Sequence, residues 1–238
     1  MQLRDLDAFS GSEDWDRKWV GIFDHYQNDL RHAFYIHAML ESEEQHLLEI
    51  GAGSFRDMAE LRRRGLNCEG MDFSLEAVVR AKEYFPEFAG SIHHMSAFSM
   101  PFADGAFDLT YHNGFWVLFS DEQIKGLAEE QARISKRRMI VTVHNAHNVR
   151  FVDYFDRKKV DDPLFDIRFF EKDEVIELMR PVCRDVLVVP VGKGKQYHED
   201  LLIKNGIVDP HSIRDCLRAN ELNYMADSER LMCIGSLY

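Results

Sequence analysis

A chain of 238 residues with 45% hydrophobic and 29% charged residues fits one ordinary domain with a buried core, which excludes intrinsic disorder, collagen and coiled coil. Its 29 Lys and Arg against 41 Asp and Glu leave a net charge of −12, which repels polyphosphates and disfavours a nucleic-acid partner unless a local basic patch exists. No apolar run of about 18 residues is present, and the start MQLRDLDAFSGSEDW has no basic segment leading into an apolar one, so a soluble cytoplasmic protein without membrane contact is expected.

Residues 1–44 carry Trp15, Trp19, Phe23, Tyr26, Phe34, Tyr35 and Ile36, an aromatic-rich amphipathic pattern that predicts one or two helices covering the core. From Gln45 onward, short apolar runs alternate with helical patterns, as βαβ units do, and imply a parallel sheet. Strands are expected at 46–50, 67–72, 91–95, 107–112, 138–144, 185–191 and 229–237. Met58 and Leu61 form a helical stripe ended by Gly65, and Ser74 caps a helix that Pro86 ends. Ser120 with Gln123 opens a helix reaching about Ile134, and Glu171 to Arg180 is helical before Pro181. Residues 193–228 form an insertion with helical character at 211–225, long enough to act as a lid. The four cysteines, Cys68, Cys183, Cys216 and Cys233, have no CxxC spacing and read as reduced thiols.

The chemistry is concentrated in Leu47-Leu48-Glu49-Ile50-Gly51-Ala52-Gly53-Ser54, an apolar strand running into a Gly-x-Gly turn that opens a helix. Glycines there let the backbone approach a nucleotide-like ligand, and Asp72, 19 residues after Gly53, supplies an acceptor for ribose hydroxyls. Arg56 holds the third glycine position of a dinucleotide fingerprint, where a small residue is wanted, so a pyrophosphate site is disfavoured.

Over roughly Leu47 to Asn145 the chain resembles the class I S-adenosylmethionine-dependent methyltransferases. Glu49-Ile50-Gly51-Ala52-Gly53 matches the family's first motif, and Gly70-Met71-Asp72-Phe73-Ser74 its acidic strand end. Ser96-Ala97-Phe98-Ser99-Met100-Pro101-Phe102 resembles the loop beside the adenine, and Ala103-Asp104-Gly105-Ala106-Phe107-Asp108-Leu109 the turn and strand that follow. The resemblance implies a Rossmann-like α/β fold in one domain spanning 1–238. Its seven-stranded, mostly parallel sheet would have the order 3-2-1-4-5-7-6 with the last strand antiparallel, supplied by Leu231 to Tyr238. It also implies that Gly51, Ala52 and Gly53 lie against the methionine portion and ribose of the cofactor, that Asp72 takes the ribose hydroxyls, and that Phe73 packs on the adenine. Glu49 would orient the turn or meet a cationic ligand, and Asn113 would face the methionine end. Ser96 stands where the family usually has an acid that accepts from the adenine amine.

Methyl transfer from a sulfonium to a protonated acceptor needs alignment and a proton sink, which histidine commonly supplies. His144, ending the fifth strand, is the first choice for a general base, then His112 and His147; the competing reading has such strand-end residues hydrogen-bonding turns. Trp15, Trp19 and Tyr26 read either as a wall around the ligand or as core glue, and Phe115-Trp116 either as an acceptor cap or as packing. Arg31 reads as a solvated residue in preference to a clamp for the cofactor carboxylate, and Arg157-Lys158-Lys159 as a solvated face. Neither His93-His94 nor Asp153, Asp156, Asp161 and Asp162 has metal-ligand spacing, so no metal is expected. The leading expectation is an enzyme that methylates a hydroxyl or amine of a small molecule and releases S-adenosylhomocysteine. The alternatives are a non-catalytic cofactor-binding partner or sensor, and an RNA or protein methyltransferase; oligomeric state is left open.

Overall fold

The computed structural model describes residues 12–27, 31–162, 165–192, 198–220 and 224–238. Strands His46–Ile50 (β1), Asn67–Asp72 (β2), Ile92–His94 (β3), Phe107–Asn113 (β4), Ser135–His144 (β5), Cys183–Val191 (β6) and Arg230–Leu237 (β7) form one sheet in the order β3-β2-β1-β4-β5-β7-β6. β7 runs antiparallel to both β5 and β6, and the other pairings are parallel, as the resemblance implies.

Alternation along the strands buries both faces. Leu47, Leu109, Tyr111, Ile140 and Met232 pack on one side with helices His32–Met39 (α2), Arg56–Arg63 (α3), Leu75–Tyr84 (α4) and Pro210–Asn220 (α9). Leu48, Ile50, Met139, Val141 and Leu231 pack on the other with helices Asp121–Ile134 (α5) and Lys172–Met179 (α7). Local signals act where expected: Ser74 Oγ accepts from Ala77 N at the start of α4, and Ser120 with Gln123 closes a capping box on α5.

The flanking segments are joined over the first face. Helix Ser12–Ile22 (α1) lies along α4, and α2 packs on α9. Arg138 on β5 reaches back to the Glu44 carboxylate and to Met39 O at 2.8 Å. Tyr35 on α2 donates to Asp200 on helix His198–Lys204 (α8), and Arg214 on α9 donates to Leu40 O at 2.6 Å. Arg31 is therefore not the solvated residue expected: its guanidinium pairs with the buried Asp200 at 3.5 Å.

Several boundaries depart from expectation, and one helix is new. β5 starts at Ser135 because its first residues pair beside Phe107 on β4. The helix expected at 211–225 ends at Asn220, with 221–223 outside the described residues, as are 1–11 of the N-terminal cover and 193–197 of the insertion. Helix Val149–Lys158 (α6) was not expected at all; Asn148 caps it by accepting from Phe151 N at 3.1 Å. Among the described residues, no helix is long and apolar enough to cross a membrane.

Candidate active site

The turn after β1 requires glycine. Gly51 and Gly53 have φ of +61° and +55°, a region where side chains are strained. Phe55 follows at +54°, its ring buried against Gly70 of β2, where a Cβ would stand 2.8 Å from the ring. Ala52 N donates to Met71 O at 2.9 Å, clipping the turn to β2.

Asp72, at the end of β2, organises this turn directly. Its Oδ2 accepts from Gly53 N and its Oδ1 from Ser74 N, each at 2.8 Å. Burial raises its pKa, and the two N–H donors work in the opposite direction. Each oxygen keeps lone-pair capacity for a further donor.

Glu49 works from beneath the turn. Buried at 3% exposure, it accepts from Met58 N at 2.8 Å and so positions the start of α3; it does not front the crevice. Burial, then the neighbouring Asp57, pushes its pKa well up. Burial also pushes on Asp57, but Arg56 and His32 outweigh it and hold that carboxyl down. His32 continues the chain across the sheet, with Nδ1 3.4 Å from Asp57 and Nε2 2.9 Å from Thr142 Oγ1 on β5. Nothing in the sequence pattern points to His32, because its partners come from two other elements, α3 and β5.

The glycines also make room for the chain's own side chains. A Cβ at Gly53 would stand 2.3 Å from Trp19 Cζ2, and one at Gly51 would stand 2.6 Å from Phe115 Cδ2. Two aromatic rings thus lie over the glycine cradle. The α1 segment that brings Trp19 is pinned to the crevice rim: Asp16 accepts from Ser74 Oγ at 2.5 Å and from Glu76 N at 3.1 Å. Gln27 donates to Ser54 O at 3.0 Å, and Arg56 donates to Tyr26 O at 2.9 Å.

In the segments that follow β2 and β3, Phe73 and Phe98 are 46% and 48% exposed, large apolar rings left open at the surface. Ala97 between them is buried, and Ser96 Oγ accepts from Phe98 N at 3.3 Å within its own loop. Asn113 ends β4 opposite Thr142.

The histidines separate sharply. His144 ends β5 near Gly114, whose added Cβ would stand 3.6 Å from His144 Cε1. Its ring is stacked on Phe151 at 5.8 Å and meets Phe155 and Phe169 edge-on at 5.5 Å each. Burial, then the nearby Arg230 guanidinium, lowers its pKa well below the usual value, so the ring is neutral at pH 7. Its Nδ1 is buried without a partner.

His112, expected to face the same crevice, is instead sealed on the opposite face of the sheet against Trp116 at 5.3 Å, with both ring nitrogens buried and unpartnered. It cannot reach an acceptor. His147 accepts from Lys172 N at 3.1 Å and serves the start of α7, while Asn145 donates to Met225 O and Ser228 O, so these two follow the turn-bonding reading. Phe115 faces the cradle, and Trp116 is core. Among the described residues, no cluster of His, Cys, Asp or Glu could hold a metal ion.

His112 also gives a stability test. Burial holds its pKa down to about 3, so below its ordinary value of 6.5 the unfolded chain binds a proton that the folded chain refuses. Between pH 7.5 and 5.5 this costs the wild type about 1.4 kcal/mol that a His112→Leu variant does not lose. Glu199, held up to about 7 by burial, has the opposite sign in both proteins and cancels in the comparison. Urea unfolding at the two pH values checks this; a gap between the proteins that stays constant refutes the neutral, buried assignment.

Comparison with known proteins is consistent with this geometry. A family model described as a methyltransferase domain matches residues 47–138. No curated protein sequence matches the chain. Among solved structures, an S-adenosylmethionine-dependent methyltransferase of Thermotoga maritima, a possible histamine N-methyltransferase, is similar with a TM-score of 0.63 and 18% identity over 95% of this chain and 98% of that one. A Haloferax volcanii methyltransferase in complex with the Trm112 activator is similar at 0.62 and 19% identity over 99% of each chain. Geranyl diphosphate C-methyltransferase of Streptomyces coelicolor A3(2), in complex with Mg2+, geranyl diphosphate and S-adenosylhomocysteine, is similar at 0.56 and 13% identity over 100% of this chain and 88% of that one. The segment that carries the glycine turn and the acidic strand end therefore matches a methyltransferase-domain model over residues 47–138, and the chain has the fold of the S-adenosylmethionine-dependent methyltransferases to which it is similar.

Proposed function

We propose that this chain methylates a hydroxyl or amine of a small molecule, with S-adenosylmethionine as donor and S-adenosylhomocysteine as product. The chain's own residues fit the donor: a glycine cradle that a Cβ would fill, a strand-end carboxylate with lone pairs to spare, and two exposed rings on the rim. Asp72 would hold the ribose hydroxyls, and Phe73, Ala97 and Phe98, with Ser96, would border the adenine. Gly51, Ala52, Gly53 and Asn113 would border the ribose and methionine end. Trp19 and Phe115 lie over the cradle, so their rings turn aside or become its walls when the donor binds. When bound, the cofactor supplies an electrophilic methyl group on a sulfonium.

The observation that carries the reading is the setting of His144. It stands beside the Gly114 turn, uncharged, and it is walled by the rings of Phe151, Phe155 and Phe169. With Nδ1 sealed, Nε2 is the nitrogen left to take the acceptor's proton. Because burial keeps the ring unprotonated, the acid limb of the rate profile is expected well below the ordinary histidine range. His144→Ala is expected to lower methyl transfer about 100-fold. Cofactor affinity should change little, read by S-adenosylhomocysteine release across an acceptor panel and by calorimetry. Equal turnover in the variant removes His144 as the base.

A second reading, a chain that binds the cofactor without transferring methyl, draws support from the rings over the cradle. It predicts that no acceptor yields S-adenosylhomocysteine. The likeness to a methyltransferase bound to an activator supports one further arm, in which transfer is restored by adding a partner subunit.

A further inference from the structure

Arg230 opens β7 directly opposite His144 of β5, so the two side chains share a face at the crevice end of the sheet. Its guanidinium stands 5.8 Å from the Phe151 ring centroid, and its Nη1 is buried with no hydrogen-bond partner. Among the described residues, no carboxylate lies within ion-pair distance of it. Burial lowers its pKa to about 10, which leaves it a cation at neutral pH. The neighbouring Glu229 and Tyr26 favour that charge, while Arg56, at the start of α3, adds a second guanidinium to the same field.

A guanidinium nitrogen buried without a hydrogen-bond partner is unfavourable for folding, and such a group persists where a ligand supplies the missing acceptor. Around it are the requirements for a compact ligand with one charged end: the apolar body against Phe151, Phe155 and Phe169, the reacting group toward His144, and the negative end toward Arg230. The Arg230 guanidinium, which adds to burial in keeping His144 unprotonated, also repels a cationic amine.

Resting on the function proposed above, we infer that the acceptor is an aromatic or similarly apolar small molecule bearing a carboxylate, and that Arg230 is the residue that selects it. The orphaned Nη1 beside the aromatic wall is the observation that assigns it.

The test uses the full chain saturated with S-adenosylhomocysteine and three probes of one shape, phenylacetate, 2-phenylethanol and 2-phenylethylamine, each titrated by calorimetry. Phenylacetate is expected to bind at least about tenfold more tightly than the other two, the discrimination of one charge-assisted hydrogen bond. Arg230→Gln is expected to remove that advantage and Arg230→Lys to keep part of it, both with unchanged affinity for S-adenosylhomocysteine. Without ligand, Arg230→Gln should melt no lower than wild type, since a lone buried charge has been removed; a purely structural arginine would melt lower when lost. The inference is overturned if phenylacetate does not bind the loaded wild type, if the amine or alcohol binds as tightly, or if Arg230→Gln leaves phenylacetate affinity unchanged. It is also overturned if Arg230→Gln weakens S-adenosylhomocysteine but not 5′-methylthioadenosine, which lacks the carboxylate, for Arg230 would then serve the cofactor. Failure of the wild type to bind S-adenosylhomocysteine refutes the underlying reading instead.

Discussion

Asp72→Ala is expected to weaken S-adenosylhomocysteine binding by about 100-fold or more. A carboxylate accepting from two ribose hydroxyls contributes roughly 1.5–3 kcal/mol per charge-assisted bond, so the loss of both spans that range. The substitution does more than remove contacts to the ligand. Gly53 N and Ser74 N each lose their acceptor, so the glycine turn and the start of α4 loosen together. Asp72→Asn separates the two effects: its amide oxygen can still serve one N–H donor, and its charge is gone. The expected order of affinity is wild type, then Asn, then Ala, measured by calorimetry at constant salt. Affinity unchanged in Asp72→Ala would remove the cofactor from this strand end.

The second large effect is expected at Gly53. An alanine there must hold a left-handed backbone, which costs about 1–2 kcal/mol. Its Cβ would also stand 2.3 Å from Trp19 Cζ2 and 2.5 Å from Trp19 Cη2. The indole belongs to α1, which is anchored elsewhere through Asp16, so the ring can make way only by turning aside from its buried packing on the turn. Gly53→Ala should therefore destabilise the protein by about 3 kcal/mol, taking the backbone strain and the overpacking together. It should also speed amide exchange along α1. Trp19→Ala opens the same space from the other side, at the expense of a buried ring. Made together, the two substitutions should cost clearly less than the sum of each alone, because the clash exists only when both Cβ and indole are present. Strict additivity in urea unfolding would show that Trp19 does not rest on the turn.

The site was legible in the sequence where chemistry follows chain order. A strand, a Gly-x-Gly turn, a helix and an acid 19 residues later are local features, and Glu49, Gly51, Gly53, Asp72 and Phe73 all stand at or beneath one crevice. The same holds for the caps at Ser74 and Ser120, since both bonds close within three residues. Histidines were another matter. His112 and His144 each close an expected strand in the sequence and look equivalent there, yet alternation sends one ring into the core beside Trp116 and the other toward the aromatic wall. Parity along β4 and β5 decides this, and parity depends on pairing register.

Arg31, Arg230 and α6 were hidden for a related reason. Arg31 reads as a solvated helix residue until Asp200, 169 positions later, meets it. Arg230 gains its meaning from antiparallel pairing with His144 across a long insertion. The amino-acid order by itself determined the sheet's strands, the glycine turn and the acid that faces it, because these depend on backbone sterics and short-range hydrogen bonds. Only the tertiary structure decided which histidine borders the crevice, which rings lie over the cradle, and where Arg230 buries a nitrogen that has no hydrogen-bond partner among the described residues. Those outcomes depend on burial and on contacts between residues far apart in the chain, whose energies exist only once the sheet has closed its order.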